Sequence, residues 1–346
     1  MKKSAILVSA ISLAFAGSAF AWTTPPAVHA SSDKTTTGKV SGNSVNTFSG
    51  KSQFGNSQTN IGSDAVINGS AFRNAAGVIS GNQNSGANSE ASNQTNLQVN
   101  TVAGVLDTSA KTNGSGEVSS NTVEVGTIGA TINYDGNSYM GDNAFSYASG
   151  IISVNQNSGA NSLLQNQTNV EVNQLSQACA NGSCFGGTAY SSAALKGMVK
   201  GNSLTVYTNP SSTYYYGYYG RPMTNYNANA TINGAAFSNA SGIISASQNS
   251  GANSLLQNQT VVQASTLGKS TGHLSDTLGG AVTGNMLKVT ATGNPSNPYQ
   301  FTQTNYAANA TIGGTAFSNA AGVISVNQNT GANSMLQNQT SIQVNK

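Results

Sequence analysis

Four times the chain writes nearly the same amide-rich phrase at fixed internal spacing, and that repetition limits what it can fold into. The copies are GVISGNQNSGANSEASNQTNLQVN from Gly77, GIISVNQNSGANSLLQNQTNVEVN from Gly150, GIISASQNSGANSLLQNQTVVQAS from Gly242 and GVISVNQNTGANSMLQNQTSIQVN from Gly322. Phe72, Phe145, Phe237 and Phe317 each stand eleven residues before a Gln, at 83, 156, 248 and 328. An Asn follows five residues later, at 88, 161, 253 and 333. A second Gln follows six after that, at 94, 167, 259 and 339. Insertions fall only between the phrases. Fixed-period self-similarity marks a repeat architecture whose units bury their faces on their neighbours.

Each phrase is preceded by two shorter echoes. One is GKVSGNSV, GEVSSNTV, GMVKGNSLTV and GAVTGNMLKV, from Gly38, Gly116, Gly197 and Gly280. The other is AVINGSAF, a divergent ATINYDGNSYMGDNAF, ATINGAAF and ATIGGTAF. Val40, Val118, Val199 and Val282 set a period of roughly 80 residues. The expected organisation is a signal peptide over 1–21, an N-terminal segment over 22–37, and repeats over 38–115, 116–196, 197–279 and 280–346.

The phrase reads as strand, turn, strand. Its Asn, Ser, Gly and β-branched residues are weak helix formers, and no 3.6-residue period is present. IISVNQ alternates, with Ile152, Val154 and Gln156 on one face. NSGAN makes a turn in which Gly159 supplies positive φ and Asn tolerates it. In the second arm Leu164, Asn166, Thr168, Val170 and Val172 share a face expected to point inward. Leu163, Gln165, Gln167, Asn169 and Glu171 share the other, where repeat one has Glu90 in the Leu163 position. Buried amides are costly alone and satisfy one another when identical residues stack at about 4.8 Å. Asn93, Asn166, Asn258 and Asn338 are expected to form such a column. The fold class is therefore all-β: a β-solenoid or cross-β stack of strand–turn–strand repeats with variable spacers.

Composition agrees. Of 346 residues 7% are charged, against about 25% in an average soluble chain. Hydrophobics stand at 37%, with Gly 39 and Pro 6. Charge is too sparse for a solvated coil. MKKSAILVSAISLAFAGSAFA reads as a secretory signal with Lys2 and Lys3 ahead of an apolar run and an Ala19-Phe20-Ala21 cleavage site, leaving a mature chain from Trp22. Removing the two lysines takes the formal net charge from +3 to about +1, which speaks against nucleic acid as a partner. No later run is apolar enough to span a membrane as a helix. In an oxidising compartment Cys179 and Cys184 are expected to close a local disulfide. No catalytic, cofactor or metal constellation is recognisable. His29 and His273 lack ligand spacing, and neither a nucleophile elbow nor a phosphate-binding loop occurs. The Tyr-rich STYYYGYYGRP, 212–222, reads either as a sticky surface using ring stacking and Arg221 or, the favoured reading, as a loop packed on the solenoid.

The Gln, five, Asn, six, Gln spacing around a Gly turn resembles the curli repeat, and the long spacers between few repeats resemble Fap-type functional amyloid fibres of Gram-negative bacteria. Departures are Gly77, Gly150, Gly242 and Gly322 where curli carries Ser, and a Cys-x4-Cys placed mid-chain. The resemblance implies a secreted amyloid or adhesive fibre subunit reaching the cell surface through the periplasm. It also implies copies of itself, a nucleator or chaperone and an outer-membrane export pore as partners. The Gln and Asn positions above would form the fibre ladder. A monomeric or tip-located β-solenoid adhesin is the alternative. Gly81, Glu90 and Arg73 make repeat one the expected gatekeeper, with repeats two to four as the faster-assembling core.

Overall fold

A computed structural model describes residues 28–50, 58–102, 106–175, 187–209, 222–266, 271–292 and 302–345. The signal segment, Cys179, Cys184 and all of the Tyr-rich stretch except Pro222 lie outside them.

The described chain is built of strands and turns, five strands to a rung. The first rung contains β1 (Val28–Ser41), β2 (Ser44–Gly50), β3 (Gln58–Ile67), β4 (Ala76–Asn84) and β5 (Glu90–Val102). The second has β6 (Leu106–Ser119), β7 (Thr122–Ile128), β8 (Thr131–Met140), β9 (Ser149–Asn157) and β10 (Leu163–Leu175). The third has β11 (Thr188–Lys200), β12 (Ser203–Asn209), β13 (Met223–Ile232), β14 (Ser241–Asn249) and β15 (Leu255–Thr266). The fourth has β16 (Thr271–Thr283), β17 (Met286–Ala291), β18 (Gln303–Ile312), β19 (Ala321–Asn329) and β20 (Met335–Asn345). Each strand pairs with its counterpart one rung away, giving five four-stranded sheets such as β1-β6-β11-β16. Every pairing is parallel and in register: Gln83 pairs with Gln156, Gln156 with Gln248, Gln248 with Gln328. This is a β-solenoid. The phrases from Gly38, Gly116, Gly197 and Gly280 run from the ends of β1, β6, β11 and β16 into β2, β7, β12 and β17, so each rung opens roughly ten residues before them.

Each rung is a flat spiral. The expected strand–turn–strand is present as β9 and β10, and the preceding strands wrap it. On one side, Leu163 of β10 packs with Val118 and Val199 of the first sheet. On its other face, Val170 packs with Ile151 of β9. Beyond β9, Ile152 and Val154 meet Met140 at the end of β8 and Phe145 of the following turn. Four layers result: first, fifth, fourth and third sheets. The second sheet closes the turn end, where Val123 and Val125 join Ile132, Tyr226 and Ala160.

This wrapping corrects the assignment of faces. Leu163, Gln167, Asn169 and Glu171, expected on the opposite side from the core, are as buried as Leu164 and Asn166. The spacers supply the cover, and their variability hid it. The turn is also corrected. The left-handed residues are Asn88, Asn161, Asn253 and Asn333, with φ between 52° and 54°. Gly159 is needed instead for close approach, because a Cβ there would press into the carbonyl oxygen of Gly251 in the next rung, far inside van der Waals contact.

Aromatic rings follow the same vertical order. Phe72, Phe145, Phe237 and Phe317 stack with centroids 4.9, 5.0 and 4.9 Å apart. Tyr134, Tyr226 and Tyr306 stack at 4.8 and 5.3 Å. Offset stacking adds about 0.5–1.5 kcal/mol per pair beyond burial.

Gly159→Ala is expected to lower the thermal midpoint clearly, at a cost of about 1–3 kcal/mol or more from overpacking. Gly62→Ala, where nothing lies within 4 Å of the added carbon, should stay within about 0.5 kcal/mol. Circular-dichroism melts of both variants check the pair.

Candidate functional site: the amide columns and the open rung ends

In-register stacking brings together the amides singled out from the sequence, and their hydrogen bonds differ from column to column. In the column facing the third sheet, Gln156 Nε2 donates to Gln83 Oε1 (2.7 Å), Gln248 to Gln156 (2.8 Å) and Gln328 to Gln248 (2.7 Å). The second hydrogen of each of two of these amides goes to the third sheet's backbone, Gln156 to Thr231 O (3.3 Å) and Gln248 to Thr311 O (3.4 Å). Gln83 donates to Tyr139 O (3.0 Å). One side chain thus joins rung to rung and sheet to sheet.

The turn column does the same toward the second sheet. Asn161 Nδ2 donates to Asn253 Oδ1 and Asn253 to Asn333, both at 3.1 Å. Asn88, Asn161 and Asn253 also donate to the carbonyls of Thr122, Ser203 and Met286. Toward the first sheet, Gln259 Nε2 donates to Gln167 Oε1 at 2.9 Å, while Gln167 reaches Gln94 at 3.4 Å and Thr112 O at 2.8 Å.

Asn93, Asn166, Asn258 and Asn338 behave otherwise, which corrects the expected Asn-on-Asn column. Asn93 donates to Gly81 O (2.8 Å), Asn166 to Val154 O (2.7 Å) and Asn258 to Ser325 O (3.1 Å). Their oxygens accept from serines of the fourth sheet, as Ser247 Oγ to Asn166 Oδ1 at 2.7 Å. Asn338 donates to Ser325 Oγ at 2.9 Å. Facing the fourth sheet, these amides are engaged by its carbonyls and serine hydroxyls instead of by their own copies.

Other columns carry no flag in the sequence reading. Asn157, Asn249 and Asn329 donate downward to Asn84, Asn157 and Asn249 at 3.0–3.1 Å. Their oxygens also hold the turn, accepting from the amides of Gly159, Gly251 and Gly331. Asn121 and Asn202 donate upward to Asn202 and Asn285 at 3.1 Å. The signal was available: the phrase GKVSGNSV keeps an Asn at 43, 121, 202 and 285. On the outer face Asn133 donates to Asn60, Asn225 to Asn133 and Asn305 to Asn225 at 2.7–2.8 Å.

Two carboxylates interrupt this amide interior. Glu171 is fully buried in a column otherwise made of Gln98, Gln263 and Gln343. It accepts from Thr108 Oγ1, from Asn173 Nδ2 (3.0 Å) and from Gln263 Nε2 (3.2 Å). Glu90 heads the Leu163 column, pressed against Gly38 with Oε2 lacking a partner. Burial pushes its carboxyl up to about 7. Arg73, in the turn after β3, lies over the Tyr147 ring with its guanidinium carbon 5.8 Å from the centroid.

The ends of the stack are chemically distinct from its middle. In the second and third rungs Gln156, Gln167, Gln248 and Gln259 are fully buried. In the outer rungs the equivalent strands are partly open, and β1–β5 and β16–β20 each have one edge without a strand partner. The chain thus presents five parallel unpaired edges at both ends.

Continuous in-register amide columns are a feature the solenoid shares with cross-β stacks. The family model of functional amyloid protein FapB/FapC matches residues 109–265 and again 219–345, together more than half of the chain, and the chain belongs to that family. No curated protein and no solved structure matches it. The family is one of structural amyloid proteins, and among the described residues no helix is long and apolar enough to cross a membrane.

Because the folded chain holds the Glu90 proton more tightly than the unfolded chain, stability is expected to fall as pH rises from about 4.5 to about 7 and to level off above. The loss attributable to Glu90 is about 1–2 kcal/mol after discounting its exposed part. Denaturant midpoints at pH 5 and pH 8 measure it, and Glu90→Leu should flatten the difference.

Proposed function

We propose that the chain is a secreted structural subunit that adds end to end to copies of itself, forming extracellular amyloid-like fibres for biofilm matrix and surface adhesion. The observation that carries this reading is the equivalence of the two open ends. An unpaired strand edge is a template for another chain. Here the fourth rung offers Gln303, Thr304, Asn305, Gln328 and Gln339 where the first offers Gln58, Thr59, Asn60, Gln83 and Gln94. A first rung laid on a fourth repeats the contacts already made between rungs of one chain. The Gln columns, joined within the chain, then continue across the junction as the fibre ladder. A nucleator or chaperone and an export pore are the further partners the reading calls for.

Rung one is the poorer template. Glu90 and Gly81 stand where later rungs carry Leu or Met and Val or Ala. It serves as the gatekeeper that slows association before export.

Diluting the chain from Trp22 to Lys346 out of denaturant at micromolar concentration tests the proposal. The expected product gives a meridional reflection near 4.7–4.8 Å and an equatorial one near 10 Å. A chain that stays monomeric at every concentration, with a cooperative melt, contradicts it. Deleting 310–346 is expected to lengthen the assembly lag far more than deleting 65–100. Equal lags overturn the gatekeeper role.

A further inference from the structure

Stacking a first rung on a fourth creates a definite set of new neighbours, one for each column of paired residues. Most columns end in uncharged groups on both sides. Several carry a charge at one end only: Lys39 faces Ala281, Asp64 faces Asn309, Lys288 faces Asn46 and Glu90 faces Met335. Among the described strands one column alone is charged at both ends. It runs Lys34, Thr112, Ala193, Asp276, and the two charges are of opposite sign.

This column lies on the inward face of the first sheet. Its middle members, Thr112 and Ala193, are buried, and Gln167 of the fifth sheet donates to the carbonyl of Thr112 (2.8 Å). Its two ends are left open by the termination of the stack. Lys34 Nζ leans across the layer to the carbonyl of Thr95 (3.0 Å), an exposed contact. Asp276 is half-buried. Ser341 Oγ donates to its Oδ2, and its Oδ1 has no partner. Burial pushes its carboxyl above the ordinary range, against the opposing pull of Ser341 and the Ala193 backbone. A half-buried carboxylate is costly alone and favourable once a cation faces it.

We propose that Asp276 of one copy and Lys34 of the next form an ion pair across the junction of stacked chains, fixing both the head-to-tail polarity and the register of the fibre. The occupant of the open end is thus a second copy of this chain; this rests on the end-to-end reading above. Strand spacing sets the two residues about 4.8 Å apart along the axis, within reach of a direct contact. The small Thr112 next to Lys34 and Ala193 next to Asp276 leave room for the lysine stem. A slip by one residue along the strand would set Lys34 against Ser275 or Thr277 and leave the carboxylate unpaired in a closed layer. The other ends offer no substitute, so register is read at this column.

Charge reversal tests the lock without removing the surface. K34D puts two carboxylates at the junction and D276K two ammonium groups. Each single variant is expected to elongate about tenfold or more slower than the unmodified chain, while K34D/D276K recovers most of the rate. Seeds of K34D/D276K should not extend with unmodified monomer, nor the reverse, because both mixed junctions bring like charges together. Circular dichroism of each monomer before assembly checks that the end rungs are folded; D276N, expected to slow elongation less than D276K, serves if D276K does not fold. Single reversals that elongate as fast as the unmodified chain, or a double reversal that extends unmodified seeds freely, overturn the lock and leave the fibre reading intact. An unmodified chain that forms no fibres overturns both.

Discussion

Everything in this molecule depends on each residue lying directly over its own copy one rung away. A parallel, in-register ladder fixes that relation through the backbone. An amide side chain at the strand spacing then finds an acceptor on one neighbouring copy and a donor on the other. Gln156, buried completely, donates to Gln83 and accepts from Gln248. Leaving such a group unpaired would cost about 1–3 kcal/mol, so a polar interior is viable only while the register holds. The same relation forbids a Cβ at Gly159 and at Gly150, each pressed on the carbonyl of a glycine in an adjacent rung.

The scarcity of charge follows. Two like charges at the strand spacing repel, and a layer buried on both faces offers them no water. Polar but uncharged Gln, Asn, Ser and Thr are the side chains that can stack on themselves and still bond sideways. Where a charge enters an inward-facing column, it has no charged neighbour in the next rung. Glu171 is surrounded by three donors, and Glu90 sits in the outermost rung, where its carboxyl is held up to about 7. Lys34 and Asp276 sit at opposite ends of one column and are separated by the uncharged Thr112 and Ala193.

Much of the fold was legible in the phrase. Fixed Phe-to-Gln and Gln-to-Asn spacing announced stacking, and alternation announced β9 and β10. What stayed hidden was the wrapping. The spacers vary in length and share only short echoes across all four repeats, yet they form three of the five sheets and cover the face of β10 that two strands considered alone would leave open. Conformation at the turn was misread because Gly159 and Asn161 both permit positive φ. Only the vertical contact with Gly251 shows that Gly is needed for space and Asn for the backbone. Periodicity also cannot distinguish an amide that stacks from one that reaches sideways. Gln156 and Asn166 recur with equal regularity, and their surroundings alone send one to its copy and the other to Val154 O. The columns at Asn121 and Asn157 went unflagged because a repeated Asn beside a turn reads as turn chemistry alone.

Mass per length of the fibre, by dark-field scanning transmission electron microscopy of unstained filaments, tests the central claim most directly. Four rungs at about 4.8 Å advance the axis by about 19 Å for each chain. A chain of 35.0 kDa then gives about 18 kDa per nanometre in a single filament, a little less once a leader is removed. A value near that, with the 4.8 Å spacing present, is what in-register stacking of four rungs predicts. About 70 kDa per nanometre would mean that each chain contributes one layer to the fibre core, and the four-rung solenoid would not be its building block.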